Sequence, residues 1–177
     1  MRITGGKHRG RTLPDPVAAG VRPTSERARE ALFSILGQNL TGQSVLDAYG
    51  GTGLLGLEAW SRGAEVVAVE KDKAAATDLL TRAKVLGASH EAGFALRIGD
   101  VLAVAPSLGP FDGVLVDPPW ALDPGRILST LGPLARHWLV LEADCERECP
   151  DVAGDLGLDR VRRYGRTAFW VYRVSAS

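Results

Sequence analysis

Asp117-Pro118-Pro119-Trp120 sets an acid, two residues without N–H groups and a large aromatic ring in four consecutive positions. Successive prolines freeze the backbone, so the nearby carbonyls stay fixed and available as acceptors. Asp117 adds another acceptor, and Trp120 adds a flat apolar face. An exocyclic amine on a base needs such groups, because its lone pair is delocalised into the ring and it is a poor nucleophile. Acceptors on its N–H bonds draw the nitrogen toward tetrahedral geometry, while an aromatic ring stacks the base and fixes its plane. The chemistry that suits this corner is an in-line displacement by the amine on an electrophilic methyl group, aided mainly by positioning. In isolation the same four residues also read as a Pro-Pro corner with a packed Trp.

The stretch Val45–Glu70 carries the second pattern. Gly51-x-Gly53-x-x-Gly56 has the spacing of a dinucleotide-binding turn. Glycine permits a sharp turn and lets a ligand lie against bare peptide. Helix N-terminal N–H groups then face that ligand. Glu70 lies close to the distance, about 20 residues on, at which a carboxylate accepts from a ribose diol. The glycines alone leave the ligand open, since NAD carries a pyrophosphate whereas S-adenosylmethionine carries a carboxylate, an amine and a sulfonium. Asp47, just before the turn, suits a cationic, amine-bearing ligand, because like charges repel in a poorly solvated cleft. The Pro-Pro corner, for which hydride transfer has no use, turns the choice to S-adenosylmethionine.

These groups need a scaffold, and the chain reads as alternating strands and helices. Strands are expected at Val45–Ala48, Glu65–Val69, Phe94–Ile98, Phe111–Val116 and His137–Leu141. Helices are expected from Leu54 to about Arg62, from Lys71 to about Leu86, over Val101–Ala105 and over Gly125–Ala135. That alternation is the mark of a parallel α/β sheet. An earlier helix begins at Thr24 or Ser25, either of which can cap it, and Gly37 ends it. Its apolar stripe is Ala28, Ala31, Leu32, Ile35 and Leu36. Residues 1–13 read as a hairpin around Gly5-Gly6-Lys7-His8-Arg9-Gly10, with Pro14, Pro16 and Gly20 marking a loop. A second hairpin, Leu158–Tyr164 and Thr167–Val174, closes the chain. In open α/β sheets ligands sit beyond the carboxyl ends of the strands. The strand ending at Asp117 is therefore expected beside the one ending at Asp47. Asp100, at another strand end, could reach an adenine amino group or could simply cap the following helix.

The 177 residues, 45% of them hydrophobic, match one domain with a full core. No apolar run approaches the ~20 residues of a membrane span, and the N-terminus lacks the apolar core of a signal peptide. Cys145 and Cys149 read as ordinary thiols of a reducing cytoplasm rather than a zinc framework. The formal net charge is zero, 21 basic against 21 acidic. Two segments are nonetheless wholly basic in their charge: residues 1–14 with Arg2, Lys7, Arg9 and Arg11, and residues 160–173 with Arg160, Arg162, Arg163, Arg166 and Arg173. Such local patches can bind phosphates although the total cancels. Glu142, Asp144, Glu146, Glu148 and Asp151 offset them.

Together these residues resemble the class I S-adenosylmethionine-dependent methyltransferases of the small-subunit ribosomal RNA guanine-N2 type, the RsmD family. Residues 2–11 look like the family's N-terminal hairpin. Residues 22–33, Arg-Pro-Thr-Ser-Glu-Arg-Ala-Arg-Glu-Ala-Leu-Phe, look like its cofactor-covering segment. The Asp47–Gly56 turn resembles its glycine motif, and Asp117–Trp120 sits at its catalytic motif. Tyr49, Gly50 and Trp120 depart from the usual Phe, Ala and Phe or Tyr. The resemblance implies a Rossmann-like, mostly parallel seven-stranded sheet in the order 3-2-1-4-5-7-6, with helices on both faces and the hairpin as an extension over residues 1–20 ahead of a methyltransferase domain over 21–177. It implies S-adenosylmethionine as cofactor, held by Pro23, Thr24, Asp47, Tyr49, Gly50, Gly51, Thr52, Gly53, Glu70, Lys71, Asp100 and Val101. It implies methyl transfer at Asp117, Pro118, Pro119 and Trp120 to a guanine N2 of 16S rRNA, free or within an assembling small subunit. RNA contacts are expected from Arg2, Lys7, Arg9, Arg11, Arg163 and Arg166. A cytoplasmic monomer without metal is expected. The competing readings are methylation of a DNA adenine or a protein glutamine, and a non-catalytic RNA-binding assembly factor.

Overall fold

The computed structural model describes residues 1–16, 24–90 and 92–174. Pro23, expected at the cofactor, and Gly20 lie outside them. Five parallel strands form the centre: β1 (Ser44–Asp47), β2 (Glu65–Glu70), β3 (Phe94–Ile98), β4 (Phe111–Val116) and β5 (Ala135–Asp144). β1 pairs with both β2 and β4, with Asp47 opposite Ala68 on one side and Leu115 on the other. The order of connection therefore reverses between β1 and β4, which opens a crevice at their carboxyl ends.

Helices cover both faces. α1 (Glu26–Leu36), α2 (Leu54–Ser61) and α3 (Lys73–Leu86) pack one side, where Leu32, Phe33, Leu57 and Leu79 are fully buried. Burying each such side chain contributes about 2 kcal/mol. α4 (Val101–Val104) and α5 (Pro124–Leu131) cover the other, through Val101, Ile127, Leu128 and Leu131. Ser25 caps α1 by accepting from the Ala28 N–H at 3.2 Å. Asp72 caps α3, which therefore starts at Lys73 rather than Lys71. α5 is shorter than expected. Gly132–Leu134 tightens into a 3-10 turn at Pro133, and Ala135 already belongs to β5.

The sheet has eight strands, not seven, in the order β3-β2-β1-β4-β5-β8-β7-β6. β7 (Leu156–Tyr164) and β8 (Thr167–Arg173) are the expected closing hairpin, and β8 runs antiparallel to β5. The extra strand, β6 (Val152–Ala153), pairs with Leu156 and Gly157. Two residues are too few to show a periodicity of two. Beyond Gly157 the outer side of β7 is open, and there the strand carries a register shift between Leu158 and Arg160, then Arg162 and Arg163.

The N-terminal hairpin is tied to the body. Arg2 bridges Thr12, and the Leu13 N–H donates to the Met1 carbonyl at 2.8 Å. Ile3 and Leu13 are buried in the same core as α1 and α2. Glu58 of α2, fully buried, accepts from the Thr4 N–H (2.7 Å), from Arg29 Nε (3.2 Å) and from Arg62. The Arg29 guanidinium also donates to the carbonyls of Thr24 and Arg2, the latter at 2.6 Å. Arg62 stacks over Phe33, 4.1 Å from the ring centroid. At the hairpin tip His8 stacks on Trp60, with centroids 4.9 Å apart.

Candidate active site

Four of the five parallel strands run out into an acid, Asp47, Glu70, Asp100 and Asp117, and Glu142 lies two residues before the end of the fifth. All five line a single cavity of about 1000 Å³ at the switch point. Buried apolar strands deliver them there because their side chains are held in the sheet up to its edge.

Asp47 is 1% exposed. One of its oxygens accepts from the Gly56 N–H at 2.9 Å, while Oδ1 is buried without a hydrogen-bond partner. A Cβ on Gly56 would stand 2.7 Å from that carboxylate, so the third glycine of the motif is what admits the bond. Burial pushes the Asp47 carboxyl up to about 7; the backbone N–H groups of Gly56 and Tyr49 oppose the rise and the Glu70 charge adds to it. The first two glycines of the motif make the turn itself, Gly51 at φ 48° and Gly53 at φ 76°, a region closed to most side chains. Glu70 holds the same turn: its oxygens accept from the Gly51 N–H (2.7 Å) and the Asp72 N–H (2.8 Å). Arg82, buried in α3, donates to the Thr52 carbonyl at 3.2 Å and to the Pro14 carbonyl at 3.0 Å. Asp100 accepts from the Leu102 N–H at 3.0 Å, so it caps α4 and lines the cavity as well.

Asp117 sits at the other end of the cavity with Pro118, Pro119 and Trp120. Burial raises its carboxyl well above the usual carboxylate range, and the charges of Glu142 and Asp47 add to that. The Pro119 carbonyl is not free, as expected from the sequence, but closes a turn by accepting from the Leu122 N–H at 2.9 Å. That leaves the Asp117 carboxyl and the Pro118 carbonyl as the acceptors the corner can offer. Arg147, which sequence reasoning passed over, fixes the loop by donating to the carbonyls of Trp120 (3.0 Å) and Leu122 (3.1 Å). Trp120 is 42% exposed. The Arg166 guanidinium lies over its ring at 5.6 Å and bonds Asp144 at 3.3 Å.

Glu142 was counted in the sequence only as an offsetting charge. It is 5% exposed, and its Oε2 accepts from the Thr24 hydroxyl at 2.8 Å. The signal that could have found it is the apolar run Trp138-Leu139-Val140-Leu141 ending in an acid, as in β1 and β2.

Of the remaining expected residues, Thr24, Tyr49, Gly50, Gly51, Thr52, Lys71, Val101 and Arg166 line the cavity, and Gly53 stands behind it at the start of α2. Arg2, Lys7, Arg9 and Arg11 are exposed on the hairpin. Arg2 is paired there with Glu26 at 2.8 Å, and Arg11 reaches the Val85 carbonyl at 3.4 Å. Arg163 donates to the Cys145 carbonyl at 3.3 Å. Among the described residues no cluster of His, Cys, Asp and Glu is placed to hold a metal, and no helix is long and apolar enough to cross a membrane.

A deep acidic cavity over a glycine turn fits S-adenosylmethionine. The orphaned Asp47 oxygen can meet its cationic end, Glu70 keeps lone pairs for ribose hydroxyls, and the turn leaves the backbone bare. This fold and cavity define a class I S-adenosylmethionine-dependent methyltransferase. The chain belongs to the RsmD family, whose sequence profile, described as "Conserved hypothetical protein 95", matches residues 1–173. It is 33% identical over 182 aligned residues to "Ribosomal RNA small subunit methyltransferase D" of Escherichia coli strain K12, covering 99% of this chain and 91% of that one. The solved structure of yhhF from Escherichia coli matches all of this chain and 99% of its own at 31% identity, with a TM-score of 0.83. A magnesium protoporphyrin IX methyltransferase from Synechocystis, solved with bound SAM, shares the fold alone: 18% identity, 84% of this chain and 79% of its own, TM-score 0.66.

Proposed function

We propose that the protein transfers a methyl group from S-adenosylmethionine to the exocyclic N2 of a guanine in 16S rRNA during small-subunit maturation. The observation that carries this is the shared cavity, with the glycine turn and Asp47 at one end and the Asp117–Trp120 corner at the other. The curated relative named above is a small-subunit rRNA methyltransferase, which supports the choice of RNA.

When bound, the cofactor supplies an electrophilic methyl group on a cationic sulfur. Asp47, its buried oxygen otherwise orphaned, meets positive charge; Thr24, Tyr49–Gly53, Lys71, Asp100 and Val101 surround the rest, and Glu70 takes the ribose. Asp117 and the Pro118 carbonyl accept the two N–H bonds of the amine and turn its lone pair toward the methyl group. Trp120 stacks the base once Arg166 exchanges its contacts with that ring and with Asp144 for a phosphate. Asp117 need not remove a proton beforehand, because the amine's N–H acidity rises as its lone pair is used. Residues 1–20, carrying Lys7, Arg9 and Arg11, act as an RNA-contacting extension on the methyltransferase domain, together with Arg2 and Arg163. The protein works as a monomer in the cytoplasm.

The test is Asp117→Ala. Equilibrium dialysis with labelled S-adenosylmethionine should show near-normal binding, while methyl incorporation into RNA from a deletion strain falls at least about 100-fold, the scale of a lost positioning group. Near-normal turnover would refute the assignment of Asp117. Mass spectrometry of nucleosides from that strain separates guanine N2 from the DNA-adenine and protein-glutamine alternatives.

A further inference from the structure

Glu142 is a buried acid outside the set placed around the methyl donor, which it meets only through its bond to Thr24. It sits two residues before the end of β5 with 5% exposure, in the wall that also holds Asp117 and Trp120. The Thr24 hydroxyl, ahead of α1, donates to it at 2.8 Å, and Thr167, the first residue of β8, stands nearby and favours its charged form. No arginine or lysine bonds it among the described residues. The nearest influence of that kind, Arg29, spends its donors on Glu58 and on the carbonyls of Thr24 and Arg2. A buried carboxylate without an ion-pair partner is costly, and the fold alone would be served as well by a neutral side chain. Burial pushes its carboxyl up, against the pull of the two hydroxyls and the Arg29 charge, and a donor placed on its remaining oxygen would favour the charged form.

The cavity divides along the sheet. Asp47, Glu70 and Asp100 end β1 and β2 and follow β3, around the glycine turn. Asp117 follows β4 and Glu142 lies near the end of β5, each one residue beyond the paired Val116 and Leu141 of these adjacent parallel strands. So the half that faces the acceptor base offers two neighbouring carboxyl groups. Guanine presents two neighbouring donors on one edge, N1–H and the N2 amine. Adenine and 2-aminopurine present an amine beside a bare N1 lone pair, which would meet a carboxylate oxygen head on.

We propose that Glu142 accepts the guanine N1–H while Asp117 holds the N2 amine, so that Glu142 is the residue that selects guanine. This rests on the methyl-transfer reading above. A site built to bond a polar group rejects analogues lacking it by large factors, because its own polar atom is then left unpaired.

The experiment uses 16S rRNA ligated from synthetic and transcribed pieces, with either guanine or 2-aminopurine at the position mapped in a deletion strain. 2-Aminopurine keeps the reactive 2-amine and lacks N1–H. For the wild-type protein kcat/KM should favour guanine by about 100-fold or more. In Glu142→Gln, whose amide can donate as well as accept, the preference should shrink to about tenfold or less, with the Kd for S-adenosylmethionine within about threefold of wild type. Loss of both activities at an unchanged ratio would overturn the proposal. So would a wild-type protein that methylates the two bases equally, a result independent of whether the variant folds. If the wild type binds S-adenosylmethionine but methylates no guanine, the parent reading fails, and this one with it.

Discussion

Replacing Asp47 by asparagine should make the ligand-free protein less sensitive to rising pH while spoiling its hold on a cation. The carboxyl is 1% exposed and held up at about 7, chiefly by burial, from an ordinary value of 3.8. The folded state therefore keeps its proton after the unfolded chain has lost it. The stability this contributes is complete below pH 4 and is lost as pH climbs through 7. At 1.36 kcal/mol per unit of pKa the whole loss is about 4 kcal/mol, more than half of which falls between pH 5 and pH 8. Asparagine keeps an acceptor for the Gly56 N–H and cannot ionise. Urea denaturation of both proteins at pH 5 and pH 8, without ligand and at fixed ionic strength, measures the difference. The variant's decline across that interval should be smaller by about 2–3 kcal/mol. Asp117 and Glu142 slope the same way in both proteins, and because Asp47 itself pushes Asp117 up, its removal can only enlarge the effect. Added S-adenosylmethionine should stabilise the wild type more at pH 8 than at pH 5, and the variant hardly at all. Equal pH slopes in the two proteins would refute the argument that this carboxyl is stored uncharged for a cation.

Glu58→Ala strands two buried guanidinium groups and should cost about 3–5 kcal/mol, lowering Tm by about 10 °C in a scanning experiment. Gly53→Ala forces a side chain to φ 76° with its Cβ 2.7 Å from Leu79; a cost of about 1–2 kcal/mol and at least about tenfold weaker cofactor binding by calorimetry are expected. The double change Arg9→Ala with Arg11→Ala should reduce the slope of log K for RNA against log salt by about 1.4, if each contacts one phosphate of a single strand. An unchanged slope would place the RNA elsewhere.

The parts of the site legible in the sequence are those carried by short, local patterns. Glycine spacing announced the turn around Gly51 and Gly53, and apolar runs ending in Asp47, Glu70 and Asp117 announced three walls of the cavity. Glu142 is hidden in the sequence because the apolar run of the fifth strand stops at Leu141. Its continued pairing with β8, up to Asp144 opposite Thr167, is a contact distant in sequence. The same reason hid Arg29, Glu58, Arg62 and Arg82. A charged residue on a helix defaults to solvent, and nothing local says that Glu58 will meet the hairpin at Thr4 or that Arg82 will reach Pro14. β6 was invisible through brevity, and the early end of α5 turned on Pro133, whose ring cannot continue a helix. The Pro119 carbonyl was misjudged because a turn to Leu122 depends on the loop that Arg147 pins from 25 residues away.

The outermost strand has a consequence for how these molecules tolerate one another. An open row of backbone donors and acceptors invites a neighbouring chain to add itself on, strand by strand. Here the invitation is withdrawn: β6 shields Leu156 and Gly157, an irregular step between Leu158 and Arg160 breaks the ladder's rhythm, and Arg160, Arg162 and Arg163 follow. A second copy approaching edge-on would have to bring those like charges together. Arg160 is paired there with Asp159 at 2.7 Å, so the uncompensated charge that guards this edge is carried by Arg162 and Arg163, both exposed.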